Sequence, residues 1–317
     1  MFHMWEKLSA WIVFELFGLE SNTHFGDTIH FFLYDTIKIF VLLISIIYIV
    51  SLLRSYFPVE VARKYIAGKN KIMSHILAAL FGVVTPFCSC SAIPLFLGFL
   101  QARIPLGVTF SYLISAPMSD AVVIALLLSL FGWKIAVLYV GFGLLVAILG
   151  GLIVGALNLE KEVLIEIKPL EAEETEYEIP FKARALEAWE FTGSLFKKIY
   201  IYIILGVGVG AIIHGYVPQD FIVKYASGGS WYAVPLAVIM GIPMYASAAG
   251  ILPLVEALTS KGMFMGTAIS FMMAVVALSL PEAMILKRVL SVKLISIFFG
   301  TVGFGIMLVG YILNTIL

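Results

Sequence analysis

Apolar residues along this chain gather into eight long runs: Phe31–Leu53, Ile72–Leu100, Ile104–Phe131, Ile135–Leu157, Lys198–His214, Trp231–Leu258, Met263–Leu286 and Leu294–Leu317. Runs of about 20 apolar residues are long enough to cross a bilayer as helices. They predict an all-α polytopic membrane protein. Ahead of them, within residues 1–30, Trp5, Leu8, Trp11 and Ile12 recur at helical spacing and predict an amphipathic segment lying in the interface. Glu6, Glu15 and the lack of a small-residue cleavage site argue against a cleaved signal peptide. Residues 158–197 form a hydrophilic charged linker containing the acidic stretch Glu171–Glu178, expected to be solvated. It separates a first membrane repeat, 31–157, from a second, 198–317.

The halves match at one fixed, ungapped shift of 159 residues. Gly82, Gly107, Gly141 and Gly151 fall on Gly241, Gly266, Gly300 and Gly310; Pro94 falls on Pro253, Ser111 on Ser270 and Lys134 on Lys293. Composition alone would match roughly one glycine of the first half, so four predict an internal repeat of the kind common in transporters.

Two runs per half are interrupted. Ile72–Leu100 carries Pro86 and Pro94, and its counterpart carries Gly241, Pro243 and Pro253 within "GIPMYASAAGILP". The following run breaks at Pro117 in "SAPMSD", and its counterpart at Pro281 in "SLPE". Proline removes a backbone donor and glycine loosens a helix, so breaks are expected at these residues, facing protein or a water-filled cavity rather than lipid. If all eight runs span, the cations divide almost evenly between the two faces. If Ile72–Leu100 and Trp231–Leu258 are instead re-entrant hairpins, only Lys7, Lys38, Lys134, Lys224 and Lys261 stay outside, and the rest of the 20 Lys and Arg residues lie inside. That arrangement inverts the second half and brings the hairpin tips together near the midplane. Eight full spans is the alternative, and the matched Lys134 and Lys293 lie on opposite faces only in the inverted reading.

Composition agrees with the pattern: 62% of residues are hydrophobic and 13% charged, against about a quarter charged in soluble domains. Net charge is zero, which gives no pull toward nucleic acid. Two cysteines one residue apart form no disulfide framework.

Candidate chemistry collects at the breaks. In the first half they offer Thr85, Cys88, Ser89, Cys90 and Ser91, then Ser115, Ser119 and Asp120; the second half offers Ser247. Thiols are soft ligands for Cu(I), Zn(II) or a trivalent metalloid, and two thiols suffice for a mono-organo arsenical with two exchangeable positions. A small hydrophobic cysteine packed in a tight turn is the plainer reading. An acid inside a membrane run is costly and marks function, so Asp120 and Glu282 are proton-coupling candidates, with a structural helix cap as the competing role. His75 and His214 are expected at the interface, and Asp35 and Lys38 stand one turn apart as a pair. Glu256 lies in the second hairpin, and Gly151/Gly155 and Gly206/Gly210 suit close helix packing.

The motif "TPFCSCSAIPLFLGFL", Thr85–Leu100, followed by "SAPMSD", Ser115–Asp120, resembles the predicted permease family that includes the ArsP-type organoarsenical efflux permeases. The likeness maps onto Pro86, Cys88, Cys90, Pro94, Pro117 and Asp120. It implies a multi-pass secondary permease of the cytoplasmic membrane, exporting trivalent organoarsenicals in its characterised branch. The architecture is also similar to the ion transporter superfamily, by analogy only. No cofactor and no enzymatic activity are expected, and the expected partners are the bilayer, a small or metalloid solute and a second copy of the chain. A membrane thiol–disulfide electron conduit using Cys88 and Cys90 is the alternative, although both thiols fall in one half. A membrane hydrolase lacks any recognisable zinc motif or nucleophile elbow.

Overall fold

The computed structural model describes residues 9–16, 18, 23–56, 70–85, 89–101, 103–119, 121–164, 181–216, 231–244 and 248–317. Among the described residues twelve α-helices carry the fold. They are α1 (His24–Tyr56), α2 (Lys71–Val84), α3 (Ser89–Gln101), α4 (Leu106–Met118), α5 (Ala121–Phe131) and α6 (Trp133–Ala156). After the linker come α7 (Phe181–Tyr216), α8 (Ala233–Gly241), α9 (Ala248–Ser260), α10 (Met265–Ala277), α11 (Leu280–Leu286) and α12 (Val292–Ile316). Trp133–Ala156, Met265–Leu286 and Val292–Ile316 are each long and apolar enough to cross a membrane. Leu106–Met118 with Val123–Phe131, bent by 48°, makes a fourth.

Two helices begin earlier than hydropathy predicts. α1 starts at His24 rather than Phe31 because the Thr23 hydroxyl accepts a hydrogen bond from Gly26 N at 3.1 Å, capping the first turn. α7 starts at Phe181 rather than Lys198. Its first turns are too charged to read as a span, yet they are rich in strong helix formers and bury Ala188 and Thr192. At 33 and 36 residues, α1 and α7 are each roughly 50 Å long. They pack antiparallel, pairing Phe40 with Phe196 at 5.0 Å and Tyr48 with Trp189 at 5.9 Å between ring centroids.

The remaining helices form the core, and their register follows from a few contacts. His75 Nδ1 lies 2.8 Å from Ser111 Oγ, and Ser115 Oγ donates to Ala79 O at 2.6 Å. α2 and α4 therefore run parallel and start at the same level. Between them α3 returns: Arg103 N donates to Leu100 O at 3.0 Å and Ile104 N to Phe99 O at 3.1 Å, closing a left-handed helix cap at Arg103, φ 57°. Phe81 and Phe99, 18 residues apart, sit 6.0 Å apart between centroids, where a continuous helix would separate them by about 27 Å. Ile72–Leu100 is thus a fold-back, not a straight span.

The second half builds the same local geometry. Gly262 N donates to Thr259 O at 3.0 Å and Met263 N to Leu258 O at 3.1 Å, with Gly262 at φ 98°. A Cβ placed on Gly107 would lie 2.5 Å from Gly151 O, and one on Gly266 2.5 Å from Gly310 O. α3 and α9, like α4 and α10, have bounds 159 residues apart.

α6 and α12 cross antiparallel. A Cβ on Gly305 would meet Val146 at 3.2 Å, and one on Gly150 would meet Val302 at 3.8 Å. Beyond this crossing, Val163 and Leu290 form an antiparallel bridge, Leu164 N donates to Val289 O at 2.8 Å and Ser291 N to Glu162 O at 2.9 Å. The end of α6 and the start of α12 therefore share one end of the bundle. At the other end, Tyr311 Oη donates to the carbonyl of Trp231, and Trp133, Trp231 and Tyr232 are exposed. Aromatics of this kind mark a membrane–water boundary.

Candidate transport site

The breaks lie where the helices stop short. α2 ends at Val84, and Thr85 departs in extended backbone (φ −89°, ψ 113°) while its hydroxyl donates back to Phe81 O at 3.0 Å and Gly82 O at 3.1 Å. Ser89, Cys90 and Ser91 form the first turn of α3, whose axis then leads away from the break. Pro86, Cys88, Asp120 and Ser247 lie outside the described residues, as do the side chains of Ser89, Cys90, Ser91, Pro94, Pro253 and Pro281.

The helices do not break at Pro94 and Pro253. Both lie inside helices, α3 and α9, and Pro117 lies in the last turn of α4. Pro94 and Pro253 are each the sixth residue of their helix, past the first turn whose N–H groups lack intrahelical partners, and the helix runs on despite the hydrogen bond it loses. The missing N–H does leave the carbonyl four residues earlier without a helical partner, at Cys90 in α3 and Ala249 in α9. Gly241 and Pro243 do mark a break: α8 ends at Gly241, and Pro243 lies in the turn that follows.

Of the serines, Ser115 is fully buried and its hydroxyl is spent on Ala79 O, so it holds α2 against α4. Ser119, which ends α4, is also fully buried, and among the described residues its hydroxyl has no hydrogen-bond partner. Ser279, at the matching break before α11, is in the same condition. Three residues further on, Glu282 is 0% exposed, and among the described residues neither carboxyl oxygen has a partner. It sits in the first turn of α11, behind Pro281. Partnerless buried polar atoms cost free energy, and these gather at the two helix interruptions. α11 packs against α3 and α7, so Glu282 rides on a helix of the second half set against the thiol-bearing helix of the first.

Hydropathy placed His75 at the interface. The structure buries it, 6% exposed, against Ser111 and beneath Gly151, where a Cβ would come within 3.0 Å of its Nδ1. The matches of Gly107, Ser111 and Gly151 to Gly266, Ser270 and Gly310 were the sequence traces of that junction. Glu256 is exposed on α9, and Lys38 lies 5.5 Å over the Tyr34 ring. Among the described residues no group of three His, Cys, Asp or Glu is placed to hold a metal ion.

Comparison with known proteins places this arrangement in a family setting. The model of the ArsP_1 family, described as a predicted permease, matches residues 24–315. UPF0718 protein MJ0584 of Methanocaldococcus jannaschii is 25% identical over 314 residues, covering 80% of this chain and 86% of that protein. A Streptococcus mutans protein named as a two-component membrane permease complex subunit is 26% identical over 171 residues, covering 51% of this chain and 54% of its own length. No solved structure matches.

Proposed function

The chain belongs to the ArsP_1 family of predicted permeases, and from that premise we propose that it is a proton-coupled secondary exporter of a small thiophilic solute such as a trivalent organoarsenical. It sits in the cytoplasmic membrane as two inverted repeats. The observation that carries the reading is the buried Glu282 at one helix interruption, without a partner among the described residues, on a helix packed against the one that carries Cys90 in its first turn. A carboxyl at mid-membrane that alternates between dry and wet surroundings can carry a proton, and paired thiols can hold and exchange a soft solute.

Several features support the inverted arrangement. Helix bounds recur at a shift of 159 residues, and the matched helices α6 and α12 run in opposite directions. α2–α3 folds back to the end that carries Lys71 and Arg103, the end shared by residues 160–164 and Lys293. α8–α9 folds back to the opposite end, beside Tyr311. On this proposal the two tips approach from opposite faces, with Asp120 and Glu282 serving the site of the thiols Cys88 and Cys90. Cargo reaches Cys88 and Cys90 from the cytoplasm, and protonation of the acids favours its release outside. The relative named for a two-component complex raises a second subunit, or a second copy, as a partner.

The electron conduit is the competing reading, and a cell-based efflux and sensitivity assay separates them. Methylarsenite, arsenite, Cu(I) and Zn(II) are compared in cells carrying wild type, Cys88→Ser, Cys90→Ser, Asp120→Asn or Glu282→Gln. The permease reading expects extrusion of at least one cargo to be lost in the thiol variants, with periplasmic thiols unchanged. Intact extrusion of every cargo together with altered periplasmic thiols favours the conduit.

A further inference from the structure

The two hairpins are held in unequal ways. In the first half, side-chain hydrogen bonds pin α2 to α4 at two levels, His75 to Ser111 and Ser115 to Ala79 O. At a shift of 159 residues these positions are Val234, Ser270, Ala274 and Val238. Val234 and Ala274 carry no polar group, and Ser270 turns away from α8, donating to Gly266 O at 2.8 Å and to Ile306 O of α12 at 3.3 Å. Asn314 adds two bonds between α12 and α10: it accepts from Thr267 N at 3.1 Å and donates to Thr267 Oγ1 at 3.0 Å. The second half therefore spends its polar contacts joining α10 to α12, and α8 lies on α10 through apolar surface and the close approach of Gly241 to Ala274.

We propose that α2–α3 is the fixed half of the transport site and α8–α9 the moving half, with His75, Ser111 and Ser115 as positioning residues that hold α2 against α4. Packed apolar faces slide where hydrogen-bonded ones do not. Among the described residues, the polar contacts of the α8 segment to other helices lie at its two ends. Its root is held by Tyr311 at the Trp231 carbonyl, which suits a hinge. Its tip is held by one bond, Leu280 N to Ile242 O at 3.0 Å, and Leu280 is the first residue of the helix that carries Glu282. When the α8 tip lifts, that bond parts and the first turn of α11 is uncovered, wetting Glu282. The inference rests on the permease reading for its meaning, but its test needs no cargo.

Hydrogen exchange of the full chain in lipid nanodiscs compares amides residue by residue at the shift of 159. Amides of α8–α9 should exchange at least several-fold faster than their matches in α2–α3. Ala274→Ser, which supplies α8 with the donor that α2 receives from Ser115, should reduce that excess, and Ser115→Ala should speed α2–α3. Equal or slower exchange in wild-type α8–α9 overturns the proposal, and so does an excess that Ala274→Ser leaves unchanged. A chain with the expected asymmetry that extrudes none of the four cargoes would leave this inference standing and sink the export reading instead.

Discussion

At the scale of single residues, close approach and polar pairing decide what each position tolerates. A Cβ on Gly107 would press on the backbone carbonyl of Gly151, which cannot rotate away. Gly107→Ala should therefore destabilise the fold by on the order of 2 kcal/mol, read as a lowered Tm of the detergent-solubilised protein, and Gly266→Ala should behave alike. Arg103 holds a left-handed conformation where the second half has Gly262, so Arg103→Gly should raise the Tm, relieving about 1 kcal/mol. Glu162 lies outside the membrane helices. The Ser291 side chain holds its carboxyl below the ordinary carboxylate range, opposed by desolvation and helped by Lys293 at 3.4 Å. A depressed carboxyl lends stability above its unfolded pKa and loses it as pH falls through the folded one. The Tm difference between wild type and Glu162→Gln should accordingly stay flat near neutral pH and shrink as pH falls through the ordinary carboxylate range and below it. A difference that changes between about pH 6 and 8 would contradict this.

At the scale of elements, the sequence told which runs are interrupted better than where the interruptions fall. Three of the four fixed-shift glycine pairs were legible for a physical reason, since Gly82, Gly107, Gly151 and their matches stand at close helix crossings, whereas a Cβ on Gly141 or Gly300 would meet nothing within 4 Å. The fold-back of Ile72–Leu100 was legible only as one of two alternatives. What decides it is the register of α2 on α4, set by His75 and Ser115 contacts 36 residues away in sequence, which hydropathy does not encode. Pro94 and Pro253 misled because proline in the early part of a helix frees a carbonyl without stopping the helix. The early start of α7 escaped notice because its first turns bury only a narrow stripe through Ala188 and Thr192. Labelling should place Lys71, Arg103, Lys161 and Lys293 on one face of the membrane and Lys134 and Lys261 on the other. Finding Arg103 and Lys134 accessible from the same side would sink the fold-back topology.

At the scale of the whole molecule, two antiparallel long helices, α1 and α7, stand beside a core in which two fold-backs and two interrupted helices meet. Their shared feature is polar atoms kept dry at the interruptions, Ser119, Ser279 and Glu282, an arrangement that costs stability and is expected where a path must form and close. Glu282→Gln should preserve folding and lower the maximal efflux rate about tenfold, with its dependence on the pH gradient lost. The most direct measurement is uptake of methylarsenite into everted membrane vesicles under an imposed pH gradient. The account predicts accumulation that collapses with a protonophore and is abolished in the Cys88→Ser and Cys90→Ser vesicles. Accumulation unchanged by either thiol substitution, or no accumulation in wild-type vesicles, would contradict it.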